Sequence, residues 1–284
     1  MQNLKVESTN FPGKMSLVSG DKLIDLSTPL VMGILNCTPD SFYVGSRLKD
    51  SDEVILRAEQ MIKFGASILD IGGYSSRPGA QDISINEEIQ RVVPAISAIR
   101  KRFPNVLISL DTFRSEVAEA GLKNGADIIN DISGFSIDPS IIDVVAKHKA
   151  PYILMHMRGT PQNMENHTHY DNLFKELVSY FSEKLQILKS KGVKDVIIDP
   201  GFGFSKTLEQ NHQILHFIEH LKILEKPILL GISRKSMIYK KLDITPEESL
   251  HGTIALNAIG LSKGASILRV HDVKEASNLI RLLF

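Results

Sequence analysis

The chain has 284 residues, and its 33 Lys and Arg balance 33 Asp and Glu, for a formal net charge of zero. That balance gives no support to nucleic acid as the main partner, because binders of the phosphate backbone carry a basic excess. A hydrophobic fraction of 43% excludes a disordered chain. The longest apolar runs, such as residues 228–230, fall far short of the roughly 18 residues of a membrane span. One cysteine, Cys37, excludes an intramolecular disulfide framework and a multi-cysteine metal site. The first eight residues hold no apolar signal segment, so a cytoplasmic protein without a membrane partner is expected.

In chain order, residues 16–25 read as a short hairpin around Gly20-Asp21. Eight apolar, β-branched runs follow, at 31–36, 67–73, 106–111, 127–132, 152–157, 195–199, 228–233 and 267–271. They are nearly continuous rather than alternating, as in a parallel sheet covered on both faces. Helical periodicity fills the gaps, for example at 53–64, 114–124 and 173–191. The junctions alternate. Pro29, Pro104, Pro151 and Pro227 precede the odd-numbered runs, and Gly65, Gly125, Gly192 and Gly264 precede the even-numbered ones. Glycine just past a helix end supplies a left-handed residue, and proline cannot continue a helix. Eight such junctions predict a single (β/α)₈ TIM barrel, with residues 1–29 as an N-terminal hairpin extension and 30–284 as the barrel. The competing architecture is a doubly wound open sheet. Its glycine fingerprint is missing after the first run, where Asn36-Cys-Thr-Pro-Asp stands.

Barrel chemistry belongs at the C-terminal strand ends. There the runs end in Asn36, Asp70, Asp111, Asn130-Asp131, His156-Met-Arg158, Asp199, Ser233-Arg-Lys-Ser and Arg269-Val-His271. Eight polar ends at one level are hard to reconcile with packing alone, since buried ionisable groups are costly unless paired. Asp111, Asn130 and Asp199 are acceptors suited to a flat, donor-rich heterocycle such as an aminopyrimidine. Lys235, Arg269 and His271 suit a phosphate or carboxylate. The Asn36 carbonyl oxygen suits a hard cation, and Gly201 and Gly203 allow close approach of backbone to a ligand. Acceptors facing cations fit a heterocycle that carries a diphosphate. Residues 38–47 and 74–81 each place an Arg and hydroxyls among Gly and Pro, as a lid over an anionic centre would. His212, His216 and His220 recur every four residues opposite an apolar helix face and read as a solvent face. Cys37 lacks an activating partner in sequence.

These ends resemble the dihydropteroate synthase family. The matching phrases are Gly33-Ile-Leu-Asn-Cys-Thr-Pro-Asp-Ser-Phe42, Gly72-Gly-Tyr-Ser-Ser-Arg-Pro-Gly79, Ser109-Leu-Asp-Thr112, Ile129-Asn-Asp-Ile132, Met155-His-Met-Arg-Gly-Thr-Pro161, Asp199-Pro-Gly-Phe-Gly-Phe204, Ser233-Arg-Lys-Ser236 and Arg269-Val-His271. The resemblance implies an Mg²⁺-dependent, usually homodimeric folate-biosynthesis enzyme and sulfonamide target. Such an enzyme joins 6-hydroxymethyl-7,8-dihydropterin diphosphate to 4-aminobenzoate. It further implies that Asp111, Asn130, Asp199 and Lys235 hold the pterin, with Ile132, Met155 and Gly203 beside it. Asn36, Arg77, Arg269 and His271 would hold the diphosphate, Asn36 also meeting the metal. Ser76, Arg77, Pro78, Ser236 and Phe42 would shape the aminobenzoate site. Asp111, Lys235, Arg269, His271 and Arg77 would carry catalysis. Tyr74 stands where the family often has an acidic or amide residue, and Tyr43-Val-Gly-Ser replaces a commoner Ser-Asp-Gly-Gly. A pterin-dependent corrinoid methyltransferase would share the acceptors without needing the three cationic phrases together. A catalytically silent pterin-binding barrel would lose the loops or the diphosphate residues.

Overall fold

The computed structural model describes residues 16–20, 22–37, 47–75 and 82–284, with residues 47–51 by backbone alone. A two-stranded antiparallel hairpin, β1 (Ser16–Ser19) and β2 (Lys22–Asp25), comes first. Eight parallel strands follow: β3 (Leu30–Asn36), β4 (Ile68–Gly72), β5 (Leu107–Asp111), β6 (Ile128–Asp131), β7 (Tyr152–Met155), β8 (Val196–Asp199), β9 (Leu229–Leu230) and β10 (Ile267–Val270). Their order runs β8-β7-β6-β5-β4-β3-β10-β9, and a parallel bridge from Ile198 to Ile228 closes the ring. The barrel read from the junctions is therefore the fold. Around it lie α1 (Arg47–Lys63), α2 (Ile85–Arg102), α3 (Ser115–Lys123), α4 (Ile141–His148), α5 (Leu173–Ser190), α6 (Leu208–Phe217), α7 (Ser236–Leu242), α8 (Leu250–Ser262) and α9 (Val273–Leu283). The run at 228–233 yields only a two-residue strand, because the chain turns at Arg234, whose φ is 55°.

The even-numbered junctions work as their glycines require. Gly65, Gly125, Gly192 and Gly264 have φ values of 102°, 108°, 86° and 97°. Each closes the preceding helix with the same pair of bonds. At the first, Gly65 N–H donates to Ile62 O (3.0 Å) and Ala66 N–H to Met61 O (2.9 Å). The repeated Gly-Ala phrase is thus a Schellman cap, the glycine left-handed and the alanine entering the next strand. Two of the proline junctions use a left-handed residue without glycine, Lys149 (φ 52°) and Glu225 (φ 53°).

Strand alternation sorts the side chains into layers. Met32, Ile68, Ile128, Ile153, Ile197, Leu229 and Ile267 fill the lower interior, and Leu17, Ile24 and Leu26 of the hairpin segment pack against them from below. Each fully buried side chain of this kind contributes about 1.5–3 kcal/mol. The hairpin thus plugs the bottom of the barrel. Asp127 holds it there: it accepts from Lys22 Nζ (2.7 Å), the Ile108 amide (2.8 Å) and the Arg100 guanidinium, and its carbonyl accepts from Ser19 Oγ (2.8 Å). A second apolar shell lies between strands and helices. With the floor closed, the polar strand ends open only upward.

Among the described residues no helix is long and apolar enough to cross a membrane. A Cβ at Gly65 would lie 2.3 Å from Ser277 Oγ and 3.0 Å from Ser277 Cβ, whereas one at Gly192 would meet nothing within 4 Å. Both sites carry the backbone penalty of a left-handed residue, about 1–2 kcal/mol. Gly65→Ala should therefore lower the melting temperature more than Gly192→Ala, by roughly 2–4 °C for each extra kcal/mol, in a thermal melt of the two variants.

Candidate active site

The inward-facing alternation continues above the floor as Asp70, Asn130, Asp199 and Arg269, then Asp111. Arg269 leaves β10 and crosses the interior. Its Nε donates to Asp70 Oδ2 on β4 (2.7 Å), and its Nη2 donates to Asp111 Oδ2 on β5 (2.7 Å). Asp70 Oδ2 also accepts from Asn130 Nδ2 (3.1 Å). One cation therefore bridges two carboxylates at the centre. Burial works against the charge of Arg269, but Asp70 and Asp111 more than offset it and keep the guanidinium protonated. Burial pushes Asp111 up to about 7, against the pull of Arg269 and with help from Asp70 and Glu88.

On the opposite wall, Asp199 Oδ1 accepts from the Gly201 amide (2.8 Å). Asp199 Oδ2 and Lys235 Nζ converge over Gly231, where a Cβ would lie 3.7 and 3.9 Å from them. Lys235 Nζ donates to Phe202 O (2.5 Å) and stands 4.8 Å from the centre of the Phe204 ring. Burial raises Asp199, with Lys235 opposing. Burial likewise lowers Lys235 to about 8, with Asp199 opposing. Gly203 lies alongside the Lys235 stem, 3.3 Å from Cδ to an ideal Cβ. Ile132 and Met155 join Phe113, Met157 and Met164 in an apolar cluster with Tyr74 and Phe204. One wall of the mouth is therefore greasy and the other ionic.

The Ser233-Arg-Lys-Ser phrase is built against Arg269-Val-His-Asp272. Ser233 Oγ accepts from the His271 amide (3.2 Å) and lies 3.1 Å from His271 Nδ1. A neutral His271 that accepts the Ser233 hydroxyl at Nδ1 carries its proton on Nε2. Arg234 grips Asp272 through Nε (2.9 Å) and Nη2 (2.7 Å), and this turn aims Lys235 inward. Ser236 begins α7, half-buried. Asn36 ends β3, exposed; its Oδ1 and Asp111 Oδ2 both lie 3.8 Å from an ideal Cβ at Gly72. Ser76, Arg77, Pro78 and Phe42, like Tyr43, lie outside the described residues.

Two expected strand-end groups do not face the mouth. Asp131 points outward, where it accepts from Tyr152 Oη (2.5 Å) and the amides of Ser133 (2.7 Å) and Phe135 (2.8 Å). It is a structural acceptor. His156 is buried against Lys206, its Nδ1 3.0 Å from Lys206 Nζ, and its neighbour Arg158 pairs with Glu176 on the outside. His212 is half-buried rather than solvent-facing, with Nε2 3.0 Å from Met237 O. Burial pushes the Cys37 thiol up to about 12, in keeping with an inert thiol. Asp70 was named in the sequence only as a strand end. Its place two residues after inward Ile68 is the signal that assigns it to the centre.

A family model described as pterin binding enzyme matches residues 32–271. A dihydropteroate synthase of Synechocystis sp. is 44% identical over 99% of this chain and 98% of its own length. The Yersinia pestis dihydropteroate synthase, solved as a sulfonamide drug complex, superposes with a TM-score of 0.89 at 39% identity, over 95% of this chain and 98% of that one. The Xanthomonas albilineans dihydropteroate synthase, solved with 4-aminobenzoic acid, superposes with a TM-score of 0.88 at 34% identity, over 95% and 97%. Sequence, barrel and strand-end constellation agree: the chain belongs to the pterin-binding enzymes and, within them, to the dihydropteroate synthase family.

Proposed function

We propose that this chain joins 6-hydroxymethyl-7,8-dihydropterin diphosphate to 4-aminobenzoate, giving 7,8-dihydropteroate and diphosphate. The observation that carries the reading is the set of acceptors Asp111, Asn130 and Asp199 converging with Lys235 and Arg269 above a closed floor. In this reading Asp111, Asn130, Asp199 and Lys235 bind the pterin edge, and Ile132, Met155 and Gly203 pack its faces. Arg269 spends Nε and Nη2 on carboxylates, so Nη1 is the nitrogen aimed at the diphosphate, beside the His271 donor. Arg77 joins them, and Ser76, Arg77, Pro78, Ser236 and Phe42 enclose the aminobenzoate.

The donor set fits Mg²⁺. Among the described residues no three carboxylate, His or Cys ligands cluster. Mg²⁺ takes one or two protein oxygens and fills its shell from phosphates and water, and Asn36 offers a hard carboxamide oxygen at the open end of β3. Asn36 Oδ1 would hold it, and bound there the ion would neutralise charge on the leaving diphosphate.

The chemistry is a dissociative substitution. The bond from the pterin methylene to the diphosphate oxygen breaks, and its electron pair leaves with diphosphate. The resulting cation spreads over the pterin ring, next to the Asp111 carboxylate. The arylamine lone pair then forms the C–N bond, and the amine proton passes to solvent. A neutral arylamine needs no strong general base. The chain is read as one unit over 1–284, with 1–29 as extension and 30–284 as barrel, working in the cytoplasm as a homodimer. In support of the dimer, α8 presents Ala255 and the exposed Ile259 on its outer face.

Diphosphate release, measured with and without 4-aminobenzoate and Mg²⁺, tests the reaction. Release that requires Mg²⁺ and matches dihydropteroate formation supports it, and tight pterin binding without release refutes it in favour of a silent barrel. Asp111→Asn should lower the single-turnover rate about 10–100-fold while the KM for aminobenzoate changes little. The pH profile of kcat/KM follows from the two shifted groups. Activity falls below about pH 7 as Asp111 gains a proton, and above about pH 8 as Lys235 loses one. Asp111→Asn should remove the acid limb alone. For the dimer, Ile259→Asp should sediment at half the wild-type mass.

A further inference from the structure

The loop after β8 carries three left-handed residues in five, Gly201 (φ 73°), Gly203 (φ 79°) and Ser205 (φ 47°). That winding turns two of its carbonyls to one point beneath the loop. Lys206 fills the point. Its Nζ donates to Phe204 O (2.9 Å), Gly201 O (3.0 Å) and His156 Nδ1 (3.0 Å), with His156 O at 3.3 Å. Lys206 is 8% exposed and His156 2%. Burial, with Lys235 and Arg158 adding to it and Asp199 opposing, pulls Lys206 well below the usual lysine range, so the side chain is held by the hydrogen bonds of Nζ to neutral acceptors and not by a charge. Burial, seconded by Lys206 and Arg158, holds His156 neutral, and the tautomer with its proton on Nε2 leaves Nδ1 as the acceptor for Lys206. Gly201 approaches the end of β7 so closely that a Cβ would sit 2.0 Å from His156 O.

The upper side of the same loop makes the pocket contacts. The Gly201 amide donates to Asp199, and Phe202 O accepts from Lys235 Nζ. Asn211 Oδ1 holds the Gly203 amide (2.6 Å) from the side. The loop is thus clamped between two lysines, Lys206 beneath and Lys235 above. We propose that Lys206 is a positioning residue for the pterin pocket. Through its hydrogen bonds, its buried amino group ties the 201–204 loop to His156 and so fixes the Phe202 carbonyl and Asp199 against Lys235. This rests on the pterin reading of Asp199 and Lys235 given above. Lys206 touches neither substrate in that reading, and its effect runs through pocket geometry.

The test is steady-state kinetics of the full chain, with direct binding of dihydropterin diphosphate by calorimetry. Lys206→Met keeps the stem and removes the hydrogen-bonding amino group. It should raise the KM and Kd for dihydropterin diphosphate about tenfold, while the KM for 4-aminobenzoate stays within twofold. His156→Phe keeps the ring packing and removes the acceptor, and should raise the same two constants about threefold. His156→Asn, which restores an acceptor near the Nδ1 position, should lie closer to wild type. Unchanged pterin constants in Lys206→Met overturn the proposal, as do equal proportional changes for both substrates, which a general loss of structure would produce. If Lys206→Met does not fold, His156→Phe decides, and unchanged pterin constants there overturn it. A wild-type chain that binds no dihydropterin diphosphate overturns the pterin reading itself along with this inference. Wild-type binding matched by the variants overturns this inference alone.

Discussion

One guanidinium shared between two carboxylates organises the mouth of this barrel. Arg269 reaches from β10 to Asp70 on β4 and Asp111 on β5, so a single side chain ties together strands on either side of β3. With Asp111 ionised, the triad sets two carboxylates against one guanidinium in a desolvated place, which costs several kcal/mol unless every partner is held in register. Register is what the barrel supplies: Asp70, Asp111 and Arg269 each stand on an inward position of a strand whose next inward residue below is apolar or small. The excess negative charge has a use. A cation forming on a bound heterocycle would meet a fixed carboxylate that needs no solvent to reorganise.

The rest of the architecture keeps that arrangement dry from below. A barrel of eight strands has an interior just wide enough for side chains to fill. Here the lowest layer is wholly apolar, and Leu17, Ile24 and Leu26 seal it. The seal is itself anchored electrostatically, since Asp127 at the start of β6 binds Lys22 of the hairpin and Arg100 of α2 with one carboxylate. Removing the hairpin would expose the floor and leave Asp127 paired with Arg100 alone.

The order of strands and helices was legible because it rests on local backbone chemistry. A left-handed residue between helix and strand nearly demands glycine, so Gly65, Gly125, Gly192 and Gly264 mark four joints openly. Lys149 and Glu225 take the same conformation without glycine, and there only the following proline gave the joint away. Which side chains face inward was less legible. A strand buried on both faces reads as one apolar run, and two adjacent polar residues at its end, such as Asn130-Asp131, leave the inward member unmarked. Counting by twos from an inward Ile resolves the case: Ile128 and Asn130 share the interior face, and Asp131 turns out to Tyr152. The same count places Asp70 inside. His156 lies one residue past the end of β7, where the alternation no longer governs.

Lys206 was invisible for a different reason. Its meaning depends on carbonyls that only the wound loop brings together, and no side-chain pattern announces a cluster of backbone acceptors. The paired phrases at β9 and β10 behave in the opposite way. Ser233 meets His271 and Arg234 meets Asp272, so two sequence motifs far apart in the chain are one piece of hydrogen-bonded structure. Lys235 bonds to neither His271 nor Asp272 and turns into the pocket instead, where its Nζ donates to Phe202 O. In such a pairing the residue left over is the one free to meet a ligand. By that logic Arg234, although charged and at a strand end, is excluded from substrate contact by its own bidentate bond to Asp272.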